Sequence, residues 1–169
     1  MAAKIELDTV AGIVGARYPI PYDEPCRRRV RQRLGDAAGL TQFGVNLTRL
    51  PAGCWSSQRH WHSAEDEFIY ILEGEVVLVS DAGEVLLRAG DCAGFKSGVA
   101  DGHQLQNRST RDVVLLEIGS RQPGEDEVFY PDIDLRMPRG RPGFAHVNGA
   151  PYEPHQYAPA PEARTTPKR

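Results

Sequence analysis

"HWHSAEDEFIYILEGE", residues 60–75, decides how this chain folds. Its first eight positions hold two histidines and three carboxylates, and an aliphatic run follows at once. Side chains alternate faces along a strand, so His60 and His62 point one way and Arg59 and Trp61 the other. Glu67 comes after the turn "SAED", where a hairpin would bring its carboxylate back beside the two rings. Ile69 and Ile71 then share its inward face, while Glu65 and Asp66 stay in the turn, facing water. An unpartnered imidazole inside a curled sheet loses hydrogen bonds that it had in water. A metal ion resolves that cost, and the aliphatic wall strengthens the bond between carboxylate and cation.

The flanking sequence has the same texture. From about Leu40 to Ser120, short segments rich in Val, Ile, Leu, Phe and Thr are bounded by glycine, asparagine or aspartate and read as strands. They are "TQFGVNLTRL", "SSQRHWH", "EFIYILEG", "EVVLVS", "EVLLRAG", "CAGFKS", "HQLQNRS" and "DVVLLEIGS", with a hairpin turn at "SDAG". Closely spaced strands without a persuasive helix predict an all-β antiparallel barrel or jelly roll. Residues 1–37 form an N-terminal extension, 38–120 the barrel, and 121–169 a proline-rich C-terminal extension and tail. In the last segment a short strand is expected at Val128–Tyr130, a small hairpin around Asn148 and Gly149, and a flexible tail or arm from about Pro154.

His103, in "GVADGHQLQNRS", opens another of these strands and is the natural fourth ligand beside His60, His62 and Glu67. Three imidazoles and one carboxylate suit one divalent transition metal, Fe, Mn, Ni, Zn or Cu, better than Ca or Mg. His-x-His alone is a weak signal, but its surroundings strengthen it. Gly53, His60, His62, Glu67 and Gly74, then Gly90, Gly98, His103 and Asn107, resemble the two motifs of the cupin superfamily over about residues 40–120. The resemblance implies a double-stranded β-helix, the cupin jelly-roll barrel, with His60, His62, Glu67 and His103 on the metal. Three positions depart from the family pattern: six residues separate Gly53 from His60, Lys96 stands where proline is common, and four residues separate Gly98 from His103. None is a ligand, but all reshape the barrel mouth, so no subfamily's substrate carries over. The chain also looks like the small single-domain bacterial cupins that carry "EDEF", "LEGE", "AGDCAGF" and "GVADGH".

The function expected from this resemblance is a metal-dependent enzyme acting on a small molecule, of dioxygenase, isomerase or decarboxylase type. Four protein ligands on a six-coordinate metal leave two positions for substrate and water or dioxygen. The competing class is a non-catalytic small-molecule binding or sensor cupin.

Twenty basic against 23 acidic residues give a net charge of -3, which supplies no broad field for nucleic acid or an anionic membrane. "VAGIVGA", Val10–Ala16, is too short to span a bilayer, and no other segment approaches the ~20 apolar residues a spanning helix needs. Cys26, Cys54 and Cys92 have neither the number nor the spacing of a disulfide framework or zinc ribbon, and a reducing cytosol suits them. Cys54 and Cys92 read as small buried filler. Ser56 and Gln58, on the predicted inward face with His60, serve either a ligand or structural hydrogen bonds, and Trp61 and Tyr70 alternate away as packing residues. Lys96 reads as solvated near the barrel mouth, and His146 and His155 as surface residues. "CRRRVRQR", Cys26–Arg33, carries five arginines and could touch a phosphate; the simpler reading pairs them with the chain's own acids or packs them across a partner. A homodimer is expected, because exposed sheet edges need cover and the first 37 residues could add a strand to a partner.

Overall fold

The computed structural model describes residues 4–157 and the backbone of residues 162–164. Its strands are β1 (Gly12–Val14), β2 (Val30–Arg33), β3 (Phe43–Leu50), β4 (Trp61–His62), β5 (Glu67–Glu73), β6 (Glu75–Ser80), β7 (Gly83–Arg88), β8 (Cys92–Phe95), β9 (Gln104–Gln106), β10 (Val113–Ser120), β11 (Val128–Tyr130), β12 (Leu135–Met137) and β13 (Glu162–Arg164). Among the described residues the one α-helix is the four-residue Leu34–Ala37. The strands form a seven-stranded sheet, β13-β1-β2-β3-β10-β5-β8, and two three-stranded sheets, β12-β11-β4 and β7-β6-β9. Every pairing is antiparallel. No helix of the described residues is long and apolar enough to cross a membrane.

β5 shows why the sequence folds this way. Ile69 and Ile71 are 6% and 0% exposed, whereas Phe68, Tyr70 and Leu72 stand 38–41% exposed on the opposite face. The inward residues join Leu50, Val76, Leu87, Leu105, Val113 and Leu115 from other strands in one core, so the sheets close on each other as a barrel. Burying such aliphatic side chains stabilises the fold by about 1.5–3 kcal/mol each. Tyr70, expected to pack, lies on the outer face, and Cys92 beside it in the register is exposed rather than buried. Cys54 is buried filler, as expected.

Gly74 makes the bend from β5 into β6. Its φ is +82°, and a Cβ there would lie 2.8 Å from the Asp112 carbonyl oxygen, so both torsion and space demand glycine. The "SDAG" turn joins β6 to β7, where Ser80 pairs with Gly83.

The N-terminal residues build more than the sequence suggests. β1 and β2 extend the sheet beside β3. β13, in the expected tail, pairs with β1; residues 158–161 and 165–169 of that tail lie outside the described residues. Val128–Tyr130 is the expected strand, and His146 to Ala150 forms the expected tight turn. A second core, of Tyr18, Cys26, Val128, Tyr130, Leu135 and Tyr152, binds the two ends of the chain together beside the barrel.

Candidate metal centre

His60 is placed by a pair of backbone hydrogen bonds. Its N–H donates to His103 O at 3.1 Å and its carbonyl accepts from His103 N–H at 2.9 Å, so the two rings stand 4.8 Å apart between centroids. Most of "SSQRHWH" is not ladder strand, because its polar groups are used otherwise. Ser56 N–H donates to Leu105 O, Ser56 Oγ accepts from Leu105 N–H, and Arg29 reaches the Ser56 carbonyl. Gln58 Nε2 donates to Tyr22 O at 2.6 Å. The side chains of Ser56 and Gln58 are therefore structural.

His62 lies on β4, which pairs with β11, while Glu67 begins β5 between β8 and β10. No hairpin joins His62 to Glu67. Closure of the barrel brings them together, and Ser63 N–H, donating to Glu127 O at 2.9 Å, draws the intervening turn toward the C-terminal extension.

All four side chains meet. Glu67 Oε2 lies 3.3 Å from His60 Nε2, 3.5 Å from His62 Nε2 and 2.9 Å from His103 Nε2. The ligand atoms of His60, His62 and Glu67 lie within 4.8 Å of one another, close enough to hold an ion, and His103 joins them through Glu67. The second ring nitrogens decide the chemistry. His60 Nδ1 donates to Gln58 O at 2.9 Å, and His62 Nδ1 donates to Asp126 Oδ2 at 2.6 Å. Both neutral rings therefore aim an Nε2 lone pair at a carboxylate oxygen, which is repulsive until a proton or metal ion lies between them. His103 Nδ1 is buried without a hydrogen-bond partner among the described residues, and Phe95 holds the ring from one side, stacked at 3.6 Å and 1°.

Electrostatics follow from burial and from this convergence. Burial works against a charged His60, but the Glu67 carboxylate outweighs it and raises the imidazole. At His103 burial prevails over Glu67, and the imidazole is lowered. Burial alone would raise the Glu67 carboxyl; hydrogen bonds from His103 and His60 instead hold it well below the ordinary range.

Comparison with known structures fits this geometry. A protein described as a sugar phosphate isomerase of the cupin superfamily, from Silicibacter pomeroyi, is 39% identical, with a TM-score of 0.83 over 91% of this chain and 99% of that chain. The chain belongs to the cupin superfamily. The cupin domain family model matches residues 46–119 of this cupin. A candidate sugar phosphate isomerase from Acidithiobacillus ferrooxidans is 28% identical over 82% of this chain and 88% of that chain, with a TM-score of 0.69. A candidate oxalate decarboxylase from Thermotoga maritima shares the fold, with a TM-score of 0.57 at 21% identity over 71% of this chain and all of its own. No curated protein matches the cupin in sequence.

A cavity of about 550 Å³ in this cupin contains the four-residue cluster and is lined as well by Tyr130, Ile69, Phe95 and Glu117 and by arginines of the N-terminal extension. Tyr130, 6% exposed, stacks on His60 at 5.7 Å, and burial foremost, then Tyr18, holds its phenol protonated well above the usual range. Glu65 is half-buried and lines the same cavity, contrary to the expectation that it faces water; Gln122 N–H, donating to its carboxylate at 2.7 Å, draws it inward. Asp66 is exposed as expected, accepting from Ser97 N–H. Trp61 packs against Phe129 at 4.3 Å, also as expected. Lys96 is exposed and lines an adjoining pocket of about 230 Å³ that shares His62, Glu65, Glu67 and His103 with this cavity. His146 pairs with Asp134 and stacks on Tyr152, and His155 is exposed; neither belongs to the cluster.

Asp126, Tyr130 and Glu117 escaped the sequence reading, whereas Arg31 lies in the basic run it named and pairs with one of the chain's own acids, Glu117. Glu117 carried a legible signal, since alternation from Val113 and Leu115 places it on the inward face of an apolar strand. Asp126, in "GEDEVFY", carried none: only folding shows that it reaches a histidine 64 positions away.

Proposed function

We propose that this cupin is a metal-dependent isomerase of a sugar phosphate, with His60, His62, Glu67 and His103 holding one divalent transition metal. The observation that carries the metal reading is the convergence of three Nε2 atoms on one Glu67 oxygen, two of them held as lone-pair donors by Nδ1–H bonds. The near full-length relative from Silicibacter pomeroyi supports isomerase over dioxygenase or decarboxylase. A bound ion supplies a Lewis acid for a carbonyl or hydroxyl oxygen of the sugar. Isomerisation moves one proton between adjacent carbons and one between their oxygens, with no net loss. Glu65, which faces the cavity without a cationic partner among the described residues, accepts the carbon-bound proton. Tyr130, held as a neutral phenol, donates a hydrogen bond to an oxygen and does not act as a base. Ile69 and Phe95 keep part of the wall dry.

The test joins metal content to turnover. Protein purified without a histidine tag should carry about one transition metal per chain and interconvert aldose and ketose phosphates in a panel assay. The double variant His60→Ala/His103→Ala should lose the metal, and Glu65→Gln should keep the metal while losing turnover. A chain that stays metal-free under repletion sinks the proposal, and binding of sugar phosphates without turnover favours the sensor class.

A further inference from the structure

We infer that the arginines of the N-terminal extension, Arg31 foremost, with Arg29 behind it and Arg17 lining the same cavity, form the subsite for the substrate's phosphate. This rests on the sugar phosphate reading and assigns the basic run "CRRRVRQR" a role that the metal site leaves unused.

Arg29 is 7% exposed, and its Nη atoms donate to the carbonyls of Ser56 and Gly15. Its Nε is buried with no partner among the described residues, and the same is true of Arg31 Nε. Arg31 Nη2 meets Glu117 Oε2 at 2.6 Å, and Thr48 Oγ1 also donates to that oxygen, at 2.8 Å. Arg31 thus has a carboxylate partner, whereas Arg29 is bonded to two backbone carbonyls and pairs with no carboxylate among the described residues. Burial first, then the charge of Arg31, pushes the Arg29 guanidinium down, as expected where positive charge is incompletely neutralised. Five arginines against four carboxylates line the whole cavity, and a bound divalent ion would add to the surplus. An anion with several acceptor oxygens meets this surplus and the unused Nε–H donors together, which is the recognition that guanidinium groups favour for phosphate. A cavity of about 550 Å³ falls in the range that encloses a small ligand, so metal and phosphate subsites can hold the two ends of one molecule.

The experiment is calorimetric titration of the full metal-loaded chain with inorganic phosphate, an aldohexose 6-phosphate and the free aldohexose. Arg31→Gln should weaken both phosphate ligands about tenfold or more while leaving metal content unchanged. Because that variant strands Glu117, Arg31→Gln/Glu117→Gln restores neutrality and should show the same loss. Equal affinity for the sugar with and without phosphate overturns the inference. So does phosphate binding that survives both variants but vanishes on chelation, or that falls in Lys96→Gln instead. In each failing case metal content and the interconversion of aldose and ketose phosphates are read independently of Arg31, so failure of the subsite is distinguishable from failure of the metal enzyme.

Discussion

Asp126 gives the sharpest test of how the histidines are held. Its Oδ2 accepts from His62 Nδ1 at 2.6 Å, and its Oδ1 accepts from Ala64 N–H at 2.8 Å and Glu65 N–H at 3.3 Å. Both side chains of the His62–Asp126 pair are largely buried, at 15% and 12% exposure, so solvent screens them little. Outer hydrogen bonds of this kind are worth about 10–100-fold in metal affinity, or ~1.4–2.7 kcal/mol. Asp126→Asn should reach the upper end. The two backbone N–H groups donate only to an oxygen, so the new amide NH2 must face His62 Nδ1. Two donors then meet unless the ring moves its proton to Nε2, the nitrogen that faces Glu67, and that move removes the lone pair a metal needs. Asp126→Ala leaves Nδ1 free to bond water and should cost only about tenfold by the same range. Zn(II) and Mn(II) affinities from chelator competition, with circular dichroism to confirm folding, measure the difference. A folded Asp126→Asn protein that binds metal within about twofold of the original, or more tightly than Asp126→Ala, refutes the tautomer argument.

The ion-free site should bind metal more weakly as pH falls. A raised His60 imidazole holds its proton more tightly than a free one, and that proton must leave before Nε2 can bind metal, so affinity should climb with pH through ~6.5 and beyond. A flat affinity between pH 5.5 and 8 contradicts it. Gly74→Ala should lower the thermal midpoint through a loss of about 1–3 kcal/mol, since it combines strained torsion with the 2.8 Å approach to the Asp112 carbonyl. An unchanged midpoint shows that the bend relaxes freely. Ile71→Ala, at a fully buried position in the barrel core, should cost about 2–5 kcal/mol in denaturant unfolding; a cost below ~1 kcal/mol argues against a tightly packed barrel interior.

The barrel was legible because its strands are short apolar runs bounded by turn residues. β6 and β10 show themselves as short aliphatic runs, and in β5 burial alternates, with Ile69 and Ile71 inward and Phe68, Tyr70 and Leu72 outward. The same alternation sorted His60, His62 and Glu67 onto one interior. It misled where the backbone is bonded outside a ladder: Ser56 to Arg59 look like strand but are held by Leu105, Arg29 and Tyr22. β1 has only three residues and β2 carries two arginines in four positions, too little to show any period; β2 is a strand by pairing with β3, and β1 by pairing with β2. Arg31 and Asp126 illustrate the general limit. Each is one charge among many in a polar stretch, and its role comes from a partner in a distant part of the chain.

The strand that carries His62 is two residues long and draws its hydrogen bonds from β11, which lies beyond the segment matched by the family model. The portable unit of this protein is therefore larger than its motif. A fragment cut at residue 120 would keep every candidate ligand in its sequence, yet it would forfeit β11, Asp126 and the aromatic wall at Tyr130. Engineers transplanting the site, or trimming the protein for expression, should keep the first 37 residues and the chain through Tyr157 as one inseparable piece.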